Sequence, residues 1–197
     1  MFLQGRTYFY GDSHSARSFK GFSHPGEARE ENSCTMHRVG RDKVVPKWQA
    51  CSAKDTVVFS FGEVDCRAHI GKQIEVGRTE DEVIGTLTRE YIEAIRGIAT
   101  CRVIIVAIIP PTARKDYEDS VPDGGFPFVS SDEDRVRYTK SVNRHLSDLC
   151  EKYNFLFFDP YAPYTREDGC LRRELSDGNV HVGDSTHVLA KFRKLYI

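Results

Sequence analysis

The run Phe9-Tyr10-Gly11-Asp12-Ser13-His14-Ser15 ends an apolar stretch in a serine, so that a hydroxyl is presented at the tip of a strand. Open α/β sheets place nucleophiles there. A serine hydroxyl reacts poorly at neutral pH; a histidine must take its proton while a carboxylate fixes the histidine tautomer and stabilises the imidazolium that forms. Such a pair stands far along the chain in Leu175-Ser176-Asp177-Gly178-Asn179-Val180-His181-Val182, one polar turn before the last helix. The chain order is therefore Ser13, Asp177, His181. Taken alone, Gly-Asp-Ser also fits a plain strand-to-loop turn with a capping serine. The distant Asp/His turn is what favours acyl-transfer chemistry.

These residues need a scaffold that brings them together. Three apolar, β-branched or aromatic runs, Thr7 to Tyr10, Thr56 to Phe61 and Val103 to Ile109, read as buried parallel strands ending at Gly or Pro. A fourth strand is expected at Phe155 to Asp159 and a short one near Met36 to Val39. Val83, Ile84, Leu87, Tyr91 and Ile95 recur at helical spacing within 81–99, as do Val136, Thr139, Val142, Leu146 and Leu149 within 131–153. The second helix opens on Ser130-Ser131-Asp132-Glu133-Asp134, a hydroxyl cap with acids in the first turn. A last helix is expected from 184–186 onward. Alternating strands and helices imply right-handed crossovers and one three-layer α/β/α domain over residues 1–197, with a five-stranded parallel sheet in the order 2-1-3-4-5. Polar residues at the carboxyl ends of the strands then converge on one edge. Gly21 to Ser33 and Thr112 to Ser130 have loop composition and could flank or cover that edge.

Composition narrows the partners. A chain of 197 residues with 40% hydrophobic content supports one substantial core, and 28 Lys plus Arg against 29 Asp plus Glu give no reason to expect nucleic acid or an anionic membrane. The start, Met1-Phe2-Leu3-Gln4-Gly5-Arg6, lacks the pattern of a signal peptide, and no apolar run approaches a membrane span, so the chain reads as soluble and cytoplasmic. Six scattered cysteines without a Cys-x-x-Cys pair read mostly as reduced, buried side chains. No metal site is expected: the histidines and acids show no compact ligand spacing.

With Gly11-Asp12-Ser13 after the first strand, Gly62-Glu63-Val64-Asp65 after a central one and an Asp/His turn before the last helix, the chain resembles the SGNH (GDSL-like) hydrolases over nearly its whole length. The resemblance implies a flavodoxin-like strand order and cleavage of esters without a cofactor. It implies Ser13 as nucleophile and first oxyanion donor, with Gly40 in Thr35-Met36-His37-Arg38-Val39-Gly40 as the second-block glycine. Asp12 and His14, beside the nucleophile, join Gly62 in the expected substrate-binding group; His14 fits equally as a cap of the first helix. The family's third block, Gly-x-Asn-Asp, departs here in having Val64 at the asparagine position. A valine cannot donate a hydrogen bond, and losing one oxyanion donor costs about a hundred- to a thousandfold in rate. Arg67 is the expected substitute. The string through Cys66-Arg67 looks like a Gly-Glu-Ile-Asp-Cys-Arg signature of one SGNH branch, which implies a charged network of Glu63, Asp65 and Arg67 beside Ser13. The alternative is a structural ion pair at a strand end.

The family's last block, Asp-x-x-His, leaves the base open between two pairs. Asp184-Ser185-Thr186-His187 satisfies the spacing literally. Asp177 and His181 fit the context better, because a small apolar residue, a polar turn and a helix follow His181. The expected activity is a serine esterase acting on a small acyl or acetyl ester, such as an O-acetylated carbohydrate. The alternative is a non-catalytic ligand- or glycan-binding module that keeps the fold and has lost turnover with the third-block asparagine.

Overall fold

The computed structural model describes residues 5–22, 26–30 (backbone only), 34–117 and 127–195. Among these residues, five strands, β1 (Thr7–Gly11), β2 (Gly26–Glu30), β3 (Thr56–Ser60), β4 (Arg102–Val106) and β5 (Leu156–Phe158), form one sheet in the order β2-β1-β3-β4-β5, with every pairing parallel. Among the described residues, seven α-helices accompany them: α1 (Ser13–Ser18), α2 (Met36–Asp42), α3 (Ile70–Glu75), α4 (Glu80–Ile98), α5 (Asp132–Tyr153), α6 (Tyr161–Tyr164) and α7 (Thr186–Arg193).

Alternation along the strands divides the core in two. Tyr10, Val57, Phe59, Val103 and Ile105 pack with residues of α2, α4 and α5 on one face, including Val39, Ile84, Ile92 and Leu146. Phe9, Val58, Ile104, Val106 and Phe158 pack on the other face with Phe19, Val188 and Phe192. Strands covered on both sides read as continuous apolar runs, which is why they stood out in the sequence. The helices bury the expected stripes, Val83, Ile84, Leu87, Tyr91 and Ile95 in α4 and Val136, Val142 and Leu146 in α5. Thr79 with Glu82 and Ser131 with Asp134 form capping boxes at their starts. A cap contributes about 1 kcal/mol and each fully buried aliphatic side chain roughly 1.5–3 kcal/mol, so the buried faces hold these helices and the caps set where they begin.

Two expectations are corrected. Met36 to Val39 is not a strand but the first turn of α2: Thr35 Oγ1 accepts the Arg38 N–H at 3.1 Å, and Met36, Val39 and Gly40 share one buried face at helical spacing. The strand beside β1 lies instead at Gly26–Glu30, within a segment expected to be loop. Its polar sequence Gly-Glu-Ala-Arg-Glu fits the edge of the sheet, where one side makes no ladder. Cys51 and Cys101, joined in a disulfide with Cα atoms 6.1 Å apart, tie the approach to β3 to the approach to β4; Cys34, Cys66, Cys150 and Cys170 are buried thiols outside any disulfide. Among the described residues, no helix is long and apolar enough to cross a membrane. The centre of the Thr112 to Ser130 loop, 118–126, lies outside the described residues, as do 23–25 and 31–33.

Candidate active site

The carboxyl ends of β1 and β3 and the turn before α7 meet at Ser13. The Asp12 N–H donates to the Ser60 carbonyl at 3.2 Å, carrying the β1–β3 ladder one residue past β1. Asp12 then becomes the N-cap of α1, its Oδ1 accepting the His14 N–H at 2.9 Å. Ser13 is therefore the first residue of α1, where backbone N–H groups have no acceptor within the helix.

The turn that follows is closed by an antiparallel bridge between Ser176 and Val182 and by the Asp177 N–H donating to the His181 carbonyl at 3.1 Å. Asp177 Oδ1 accepts the N–H groups of Asn179 and His181 at 2.9 and 3.3 Å, which leaves Oδ2 for the imidazole. His181 Nδ1 lies 2.9 Å from that Oδ2, and His181 Nε2 lies 2.8 Å from Ser13 Oγ. A carboxylate only accepts, so Nδ1 carries the proton and Nε2 presents its lone pair to the serine hydroxyl. Burial first, and the nearby His14 second, pull the His181 pKa below its ordinary value in spite of Asp177. The imidazole is thus pushed toward its neutral form.

The other candidate pair is elsewhere. Asp184 Oδ1 accepts the Thr186 N–H at 2.8 Å at the start of α7, and His187, exposed in α7, sets its ring edge-on to Tyr164 at 5.7 Å. Spacing that matches a motif literally here serves a helix start. Gly40 lies within α2, and a Cβ on it would lie 3.0 Å from both Glu90 Cβ and the Tyr91 nitrogen, so the glycine lets α2 close on α4.

The third block divides its charges between two tasks. Glu63 is buried and holds the Arg67 fork, Nε at 2.8 Å and Nη2 at 3.1 Å, while Arg67 also lies over the Phe128 ring. The expected network does not extend to Asp65. That carboxylate, fully buried, accepts the N–H groups of Met36 at 2.8 Å and His37 at 3.2 Å and faces His69 Nδ1 at 3.0 Å. It caps α2, because two unpaired amides at a helix start attract a carboxylate more strongly than a guanidinium already held by Glu63. Val64 is buried and supplies no polar group. Gly62 turns the chain out of β3 at φ +121°.

His14 belongs to the site and also to its stability. Its ring lies 3.2 Å from Asp12 Oδ1, 3.0 Å from the Val180 carbonyl and 4.0 Å from Glu63. Burial pulls its pKa down, but Asp12, Glu63 and the Val180 carbonyl outweigh burial and lift it from 6.5 to about 9. A raised folded-state pKa stabilises fully below pH 6.5, and that stabilisation disappears as pH rises through about 9. Chemical unfolding at pH 6 and pH 10 is expected to show the wild type losing about 3 kcal/mol across this window, a loss absent from His14→Gln. Equal slopes in the two proteins would refute it.

Neither the Val180 carbonyl nor Arg17, whose Nη1 lies 4.0 Å from Asp177 Oδ2, was picked out from the sequence. Arg17 stands one helical turn after Ser13, a spacing that could have found it; Val180 had no signal, since any residue offers a carbonyl. Among the described residues, no group of three or more His, Cys, Asp or Glu could hold a metal ion.

No family model and no curated protein matches the sequence. Solved structures do match the fold. A GDSL-like lipase from Bacteroides thetaiotaomicron aligns with TM-score 0.61 at 16% identity, over 97% of this chain and 87% of its own. Phospholipase A1 from Streptomyces albidoflavus aligns with TM-score 0.54 at 11% identity, over 96% and 98%. The aryl esterase of M. smegmatis aligns with TM-score 0.51 at 15% identity, over 98% and 100%. At such identities the likeness is one of architecture, and along nearly its full length the chain has the α/β fold of these structures.

Proposed function

We propose that the protein is a serine esterase of the SGNH type, with Ser13 as nucleophile, His181 as base and Asp177 as the group that orients it. The hydrogen-bonded chain from Ser13 Oγ through both His181 nitrogens to Asp177 carries this reading. His181 Nε2 takes the serine proton as Oγ attacks the ester carbonyl carbon. The oxyanion forms against the Ser13 N–H, unpaired within α1 because of its first position. Collapse of the tetrahedral intermediate expels the alcohol, which receives the proton from His181. Water, deprotonated by the same nitrogen, then hydrolyses the acyl-serine. The structures that share the fold include a GDSL-like lipase, a phospholipase A1 and an aryl esterase.

The acyl group we infer is small, an acetyl ester of a carbohydrate being the leading candidate. The sequence has no long apolar segment of the kind that would line a lipid tunnel. The third block, with Val64 in place of asparagine and Glu63 clamping Arg67, is read as the mark of one branch of the superfamily. Incubation with a fluorophosphonate probe is expected to give one covalent adduct, mapped by mass spectrometry to Ser13. A folded protein that stays unlabelled and hydrolyses neither p-nitrophenyl acetate nor acetylated sugars would instead be a binding module.

A further inference from the structure

The mechanism above leaves a second histidine unused at the centre of the site. His14 is 5% exposed, follows Ser13 directly in α1, and lies with its ring centroid 4.7 Å from that of His181. Both of its nitrogens face oxygen: Nδ1 is 3.2 Å from Asp12 Oδ1, and Nε2 is 3.0 Å from the Val180 carbonyl. A carboxylate and a carbonyl can only accept, and neutral imidazole has one N–H to offer. A neutral His14 would therefore set one ring lone pair against an oxygen lone pair in a buried place. The imidazolium makes both bonds.

The charges around it agree. From the β1–α1 junction Asp12 faces His14, and from the exit of β3 Glu63 Oε2 approaches Nε2 at 4.0 Å, with its own position held by the Arg67 fork. From the turn before α7 come His181 and, behind it, Asp177 with Arg17 at 4.0 Å. A cation beside His181 opposes a second positive charge there, while Asp177 favours one. The bond from His14 to the Val180 carbonyl also ties the residue preceding His181 to the nucleophile's own helix.

We propose that His14 is a positioning residue of this site, a standing imidazolium that locks the 176–182 turn against α1 and holds His181 neutral, ready to accept the Ser13 proton. The inference rests on His181 being the base. Its direct test is NMR titration of the histidine ring nitrogens in the wild type and in His14→Gln. In the wild type, His14 is expected to remain doubly protonated at pH 7.5 while His181 titrates below pH 6.5. In His14→Gln, the His181 midpoint is expected to rise by about one pH unit, the scale of one partly screened charge about 5 Å away. The acid limb of kcat/KM should move up with it, a change that mere loss of packing would not cause. Glu63→Gln gives a second arm should the first variant fold poorly: the His14 midpoint should fall. A His14 that is neutral at pH 7.5, or a His181 midpoint unmoved in His14→Gln, would overturn the proposal. Failure to hydrolyse any ester would count against the esterase reading alone, because the ring titrations do not depend on turnover.

Discussion

Ser13→Ala is expected to lower hydrolysis of p-nitrophenyl acetate by about a thousandfold or more, with the circular dichroism spectrum unchanged. The magnitude follows from removing the attacking atom: what remains is binding and oxyanion stabilisation without covalent catalysis. The fold should tolerate the change because the side-chain bond of Ser13 runs to His181 at the site, and its place at the start of α1 is set by Asp12 as N-cap. His181→Ala should fall to a similar level, and the double variant should be no worse than either single one, since residues acting as a unit are not additive. His187→Ala should retain wild-type rates, because its ring packs on Tyr164 in α7. Activity that survives in Ser13→Ala would refute the serine mechanism. Activity lost in His187→Ala instead of His181→Ala would mean that the turn rearranges when substrate binds.

Gly62→Ala is expected to destabilise the fold by about 4 kcal/mol, read as a lower urea midpoint with an unchanged slope. Two costs add. The backbone stands at φ +121°, where a side chain is strained by roughly 1–3 kcal/mol. A Cβ there would also lie 2.6 Å from Ile108 Cδ1 and 2.7 Å from Met36 Cε, and overpacking of this kind costs roughly another 1–3 kcal/mol. A variant with wild-type stability would show that this exit from β3 is less constrained than its geometry implies.

The same two regions show how far a one-dimensional reading reaches. The central strands and the long helices were legible because burial imposes a period: both faces covered give β3 and β4 unbroken apolar runs, and one face covered gives α4 and α5 their stripes. The edge strand β2 was not, since a strand paired on one side needs little hydrophobicity, and α2 was misread because seven residues hold too few turns to display a period. The cause of α2 lies elsewhere in the chain, in Asp65, whose carboxylate reaches its first amides across 28–29 residues.

The residue types for acyl transfer, and the scaffold class that could bring Ser13 to an Asp/His turn, were determined by sequence alone, because a nucleophile's chemistry and a helix or strand period are properties of the local chain. Which histidine faces the serine was decided only in three dimensions. His181 and His187 are six residues apart and chemically identical, and what separates them is a bridged turn directed at α1 in one case and an exposed helix face in the other. The charge of His14 was likewise beyond local reading: it depends on Asp12, Glu63 and the Val180 carbonyl, and electrostatics sums over distance in space, not along the chain.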